Sequence, residues 1–226
     1  MSSPCRCVER PAGRHDLVFI SPGRWDAMLS GRGDLAADPL VAMWSSRGWP
    51  TIRRRAMPDE PRGVALGLPL PPSAGKKRIS FLLADEDVAA VTRPPSLDAA
   101  RESAPPAWSA TLDRLAELAA RHSVEARVFG SLAWQALTGL AYVTERSDLD
   151  LLLDVRPDTD LDRLTGEVAA IEAGAPMRLD GELVRDDGTA VNWRELHAGA
   201  DQVLAKRIEG VSLIARKHFV LRRIAS

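Results

Sequence analysis

The sequence predicts an α/β (α+β) fold in two parts, a small N-terminal α+β domain followed by a larger sheet flanked by helices. Three observations predict it. Short apolar runs alternate with amphipathic segments through the second half, the pattern of strands separated by helices. A proline-rich stretch, "TRPPSLDAARESAPPA", interrupts the chain at residues 92 to 107, where regular structure has difficulty continuing. One apolar run, Leu151-Leu152-Leu153, is continuous rather than alternating, as for a strand buried on both faces. The expected division is residues 1–92, a linker over 93–106, and a second domain over 107–226.

The elements follow in order. Leu17-Val18-Phe19-Ile20 reads as a buried strand. "PGRWDAML" and "DPLVAMWSSRG" read as short helices, with Pro or Asp at their starts and Gly at the stop of the second. "TIRRRAMP", "GVALGLPLPP" and "KKRISFLLADE" are strand-like and bounded by Pro and Gly. Beyond the break, Trp108, Leu112, Leu115 and Leu118 fall at helical spacing. "VEARVFG" is a short strand, "SLAWQALTGL" a helix, "SDLDLLLDV" a strand, "DLDRLTGEVAAIEAG" a helix and "MRLDGELV" a strand. "VNWRELHAGA" is a short helix, and "DQVLAKRI" and "VSLIARKHF" close the sheet as a strand and a strand or helix.

Composition narrows the function. The 226 residues are 45% hydrophobic and 27% charged, a globular balance, and the formal net charge is −1. A chain that coats nucleic acid carries a basic excess, so no nucleic-acid partner is expected. No apolar run reaches the length of a bilayer span or a signal peptide, so no membrane partner and a cytoplasmic location are expected. Cys5 and Cys7 are too close for an unstrained bridge and lack further zinc ligands, so they read as reduced thiols.

Chemistry gathers in "VFGSLAWQALTGLAYVTERSDLDLLLDV", residues 128 to 155. Gly130 and Ser131 follow a strand and open a helix, where unsatisfied backbone N–H groups and the helix dipole favour an anion. Asp148 and Asp150 are spaced i and i+2, so in a strand both point to one face. Two carboxylates at a strand mouth repel one another unless solvated or neutralised, and Mg²⁺ neutralises them while accepting phosphate oxygens. "MRLDGELV" offers a third carboxylate. Asp180 is the choice, being more closely flanked by apolar residues, with Glu182 on the same face as the alternative.

The order strand, Gly-Ser, helix, loop, Asp-Leu-Asp and apolar strand resembles the nucleotidyltransferase superfamily, with its polymerase-β-like sheet. "RHDLVFISPGRW", "LDGELVRDDGTAVNWREL" and "VLAKRIEGVSLI" extend the resemblance over nearly the whole chain. Together they are similar to the phosphoribosyl-dephospho-CoA transferase of bacterial malonate decarboxylase, its holo-acyl-carrier-protein synthase. The resemblance implies a substrate, 2'-(5''-triphosphoribosyl)-3'-dephospho-CoA, and an acceptor serine on the acyl-carrier subunit of malonate decarboxylase, with pyrophosphate leaving. It implies that Asp148, Asp150 and Asp180 hold Mg²⁺ (or Mn²⁺), Asp180 as the general base or the ligand nearest the attacking oxygen, and that Gly130 and Ser131 grip the triphosphate. Lys206, Arg146 and Arg194 are the cations expected to complete that grip. Another nucleotidyltransferase, moving a nucleoside monophosphate to a small molecule or protein, shares the same central residues. Asn192 reads as a helix cap, and Trp134 and Trp193 as core. His15, Arg53-Arg54-Arg55 and Lys76-Lys77-Arg78 are candidate contacts for substrate or for an acidic carrier protein.

Overall fold

The computed structural model describes residues 12–220. Cys5 and Cys7 therefore lie outside the described residues. The chain divides into two compact units, residues 1–94 and 95–226.

The first unit is a five-stranded sheet with three helices. Its elements are β1 (Leu17–Ile20), α1 (Pro22–Ser30), α2 (Gly33–Ala36), α3 (Pro39–Arg47), β2 (Thr51–Arg53), β3 (Val64–Pro69), β4 (Arg78–Leu83) and β5 (Val88–Thr92). The strand order is β4-β3-β2-β1-β5, antiparallel throughout. Helix α3 begins where Asp38 accepts a bond from the Leu40 N–H and ends at Gly48, whose φ of 62° lets the chain turn sharply out of the helix. Trp25 and Trp44 anchor the core at 1% and 0% exposure, and the Trp44 indole donates to the Pro50 carbonyl. Two elements escaped the sequence reading. Helix α2 is a single turn, and β5 is an alanine-containing strand with neither strong alternation nor a long apolar run.

The second unit holds α4 (Leu97–Ala100), α5 (Ser109–His122), β6 (Glu125–Val128), α6 (Gly130–Thr138), β7 (Leu149–Asp154), α7 (Leu161–Glu172) and β8 (Leu179–Val184). It continues through β9 (Ala190–Asn192), α8 (Trp193–His197), β10 (Gln202–Lys206), β11 (Val211–Ala215) and α9 (Arg216–Val220). The strand order is β11-β10-β9-β8-β7-β6. Among the described strands of this sheet only β7 and β8 run parallel, with α7 as the crossover. The last predicted segment is both alternatives in turn, β11 running directly into α9. Within the segment expected to form a linker, residues 95–106 fall in this unit. Leu97 and Ala100 are 2% and 0% exposed within its core, and Val128 donates to the Pro95 carbonyl. Proline there starts and stops short helical turns rather than leaving the chain irregular.

The sheet has two unlike faces. Leu149, Leu151 and Leu153 of β7, Leu179 and Leu183 of β8, and Val203 and Ala205 of β10 join Leu112, Leu115 and Leu118 of α5 and Leu164 and Val168 of α7 in one apolar core. Alternation then sends Asp150, Leu152, Asp180 and Glu182 to the opposite face. Leu152 is buried there too, so the leucine run is covered on both sides. Trp193 and Trp134 are 2% and 4% exposed. Gly181 has a specific reason to lack a side chain: a Cβ would stand 2.9 Å from Trp193 Cδ1, where the indole lies against the strand and donates to the Leu179 carbonyl at 3.0 Å.

Candidate active site

Three carboxylates meet at the polar face of the second unit. Asp148 lies just before β7, Asp150 is its second residue, and Asp180 is the second residue of β8. Parallel pairing sets Asp150 directly against Asp180, and the i, i+2 spacing brings Asp148 to the same side. One oxygen from each lies within 4.8 Å of the others, and all three residues are half-buried. Three anions so close, partly withdrawn from water, call for a cation. All-oxygen donors suit a hard divalent ion such as Mg²⁺. The donor set fits the metal that the sequence implies.

The Gly-Ser turn is built against this cluster. Phe129 donates its N–H to the Asp150 carbonyl at 3.1 Å, and α6 begins at Gly130. Gly130 has φ 61°, and a Cβ there would fall 1.8 Å from Asp150 Oδ2 and 2.6 Å from its Cγ. The glycine is therefore required twice, for its backbone conformation and for the space its missing side chain leaves to the carboxylate. The sequence alone assigned Gly130 to phosphate approach; its closeness to Asp150 depends on the β7–α6 packing, which no local motif reports. Ser131, half-buried, occupies the first turn of α6.

The third carboxylate has its own support. Asn192 Nδ2 donates to Asp180 Oδ1 at 3.0 Å, while Asn192 Oδ1 accepts from the Arg194 N–H at 2.9 Å and so caps α8. Capping was legible in the sequence; the bond to Asp180, made across the sheet, was not.

The expected cations are placed differently from one another. Arg146 is exposed in the turn two residues before Asp148. Lys206 Nζ bonds Glu182 Oε1 at 2.7 Å, and the Glu182 side chain is only 6% exposed. Glu182, the alternative third ligand, is thus a lysine's partner and is not among the clustered carboxylates, because its i+2 offset from Asp180 carries it a further step along the strand. Arg194 forms an ion pair with Glu172 and donates to the Leu179 carbonyl at 2.9 Å, its guanidinium lying 4.3 Å from the centre of the Trp193 ring. The pairing holds the Glu172 carboxyl below its ordinary range, chiefly through the Arg194 bond, and raises Arg194 in turn. Arg194 is in the first place a latch between α7, β8 and α8. A further basic residue that the motifs did not flag, Arg127, stands opposite Leu152 on the face that bears Asp150 and lies 3.7 Å from Asp154.

In the first unit His15 is half-buried with φ 65°. Arg53 and Arg54 turn their guanidinium groups onto the Ala65 and Leu66 carbonyls, and Arg54 also pairs with Glu60. Arg55, Lys76, Lys77 and Arg78 are exposed.

A mixed sheet that gathers three carboxylates beside a Gly-Ser helix start is an arrangement suited to phosphoryl transfer, as a nucleotidyltransferase-type site requires. Comparison with known proteins narrows it. Residues 13–94 match the family described as phosphoribosyl-dephospho-CoA transferase MdcG N-terminal domain, and residues 96–217 match its C-terminal domain. A phosphoribosyl-dephospho-CoA transferase of Bradyrhizobium diazoefficiens is 63% identical over 220 residues, 97% of each chain. One of Xanthomonas euvesicatoria is 39% identical over 207 residues, 91% of this chain and 95% of that protein. No solved structure matches. The chain belongs to the phosphoribosyl-dephospho-CoA transferase family.

Proposed function

We propose that this chain moves the phosphoribosyl-dephospho-CoA group from 2'-(5''-triphosphoribosyl)-3'-dephospho-CoA to a serine of the malonate decarboxylase acyl-carrier subunit, in the cytoplasm, with release of pyrophosphate. The observation that carries the reading is the Asp148–Asp150–Asp180 cluster set against Gly130. Phosphoryl transfer asks an enzyme for positioning and charge neutralisation more than for covalent help. Mg²⁺ (or Mn²⁺), when bound by the three aspartates, supplies charge neutralisation at the phosphates and makes the acceptor hydroxyl more acidic.

The serine Oγ forms a bond to the α-phosphorus as the bond from that phosphorus to the bridging oxygen breaks, and pyrophosphate leaves with the electron pair. Asp180 is the carboxylate assigned to the serine side, where it receives the hydroxyl proton. Gly130 and Ser131 bring the backbone N–H groups of the first α6 turn to the β and γ phosphates. Arg146 is the exposed cation nearest in sequence to the cluster. Lys206 uses one of its three donors on Glu182 and keeps the others for phosphate. Arg194, tied to Glu172, contributes at longer range. The first unit is assigned substrate and partner binding, with Lys76, Lys77 and Arg78 as the exposed basic surface for CoA phosphates or an acidic carrier.

Mass spectrometry of the carrier subunit, after incubation with this protein, the triphosphoribosyl precursor and Mg²⁺, tests the proposal. One added prosthetic group per carrier is expected, with loss of the product in EDTA. Efficient transfer from ATP, GTP, CTP or UTP with the CoA derivative ignored would instead assign a different nucleotidyltransferase.

A further inference from the structure

We infer that Asn192 is a positioning residue for the third carboxylate, and that it couples the start of α8 to the affinity of the site for a divalent cation. The inference rests on the proposed reading of the aspartate cluster as a metal site.

The geometry is that of a single side chain divided between two tasks. The Oδ1 atom accepts from the Arg194 N–H and terminates α8. That contact fixes the plane of the carboxamide, and with it the direction of the Nδ2 hydrogens, one of which meets Asp180 Oδ1 at 3.0 Å. Antiparallel pairing of β9 with β8 sets Asn192 opposite Glu182, two residues beyond Asp180 on the same face. The amide therefore reaches Asp180 from the side away from the strand mouth. It gives Oδ1 a neutral donor and places no positive charge on the carboxylate. A cationic donor at this place would compete with a metal; an amide orients the carboxylate without neutralising it.

The neighbouring contacts hold the amide in turn. Arg194 is anchored to Glu172 and to the Leu179 carbonyl, and Trp193 fills the space above Gly181 and donates to the same carbonyl. A carboxylate that is already oriented loses less freedom on taking a metal, so removing the amide should weaken binding about 10–100-fold, as for other groups that hold metal ligands in place.

Two substitutions separate positioning from capping. Asn192→Ser keeps a short oxygen suited to an N-cap but cannot reach Asp180; Asn192→Ala removes both contacts. Mn²⁺ binding to the full chain, measured by calorimetry or by the electron-spin signal of free Mn²⁺, is read beside the thermal midpoint, with Asp180→Ala as reference. The expected result is equal weakening of Mn²⁺ binding by at least tenfold in both Asn192 variants, with a lowered midpoint in the alanine variant alone. Wild-type Mn²⁺ affinity in Asn192→Ser would overturn the inference while leaving the cluster reading standing. Unaltered Mn²⁺ binding in Asp180→Ala would remove the cluster reading itself, and the role of Asn192 with it.

Discussion

Substituting Gly130 by alanine brings two physical effects together at one atom. At φ 61° a residue with a Cβ sits in the left-handed region, which costs about 1–2 kcal/mol. For a chain of this size that lowers the thermal midpoint by roughly 2–4 °C per kcal/mol. The second effect is local. The new methyl would lie 1.8 Å from Asp150 Oδ2, and ordinary contact begins near 3.4 Å, so the carboxylate or the helix start must move about 1.6 Å. A misplacement of that order at a reacting centre costs roughly 100-fold or more in rate. Gly188→Ala supplies the comparison, because Gly188 has φ 76° with nothing within 4 Å of its Cβ position. The assay pairs thermal unfolding with Mn²⁺ affinity and with transfer to the carrier subunit. Gly188→Ala should lose only the backbone strain, Gly130→Ala at least as much stability, and only Gly130→Ala should lose metal binding and transfer. Near-normal transfer by Gly130→Ala, or an equal loss in Gly188→Ala, would refute the argument.

Three further outcomes are expected. Asp148→Ala and Asp150→Ala should each abolish transfer and Mn²⁺ binding with the circular dichroism spectrum unchanged; wild-type transfer by either variant removes the metal assignment. Lys206→Met removes the lysine bonded to the 6% exposed Glu182 side chain, which should destabilise the fold by about 1–3 kcal/mol, and adding Glu182→Gln should recover part of it in chemical denaturation. Glu167 is drawn down to about 2 by its bond to Arg121, with Arg163 and His122 adding to it. A lowered carboxylate stabilises the fold fully above its ordinary value of 4.5 and loses that contribution as pH falls through about 2, so its side-chain NMR signal should titrate near 2 and shift upward in Arg121→Ala.

The parts of this architecture that local chemistry encodes are readable from sequence. The apolar spacing of α5, the Asn192 cap of α8 and the alternation around Asp180 depend on neighbours a few residues away. The same alternation put Asp148, Asp150 and Asp180 forward together, and strand pairing places them within 4.8 Å. What escaped is long-range. Nothing near Glu172 announces Arg194, 22 residues on, and nothing near Lys206 announces Glu182, 24 residues back. Segment 93–106 shows the same limit: its prolines are visible locally, whereas the elements that bury Leu97 and Ala100 are distant in sequence.

The unequal strength of the sheet's seams carries a kinetic consequence. β7 is hydrogen-bonded along its length on both sides, whereas β9 and β10 share a single register pair, Lys206 with Ala190. Local opening follows the thin seam first. The β10–β11 hairpin should therefore exchange its amide hydrogens for deuterium well before β7 and β8 do, and each such opening carries Lys206 away from Glu182. The aspartates lie on or beside β7 and β8, the strands expected to exchange last, so the anionic half of the site should outlast its lysine.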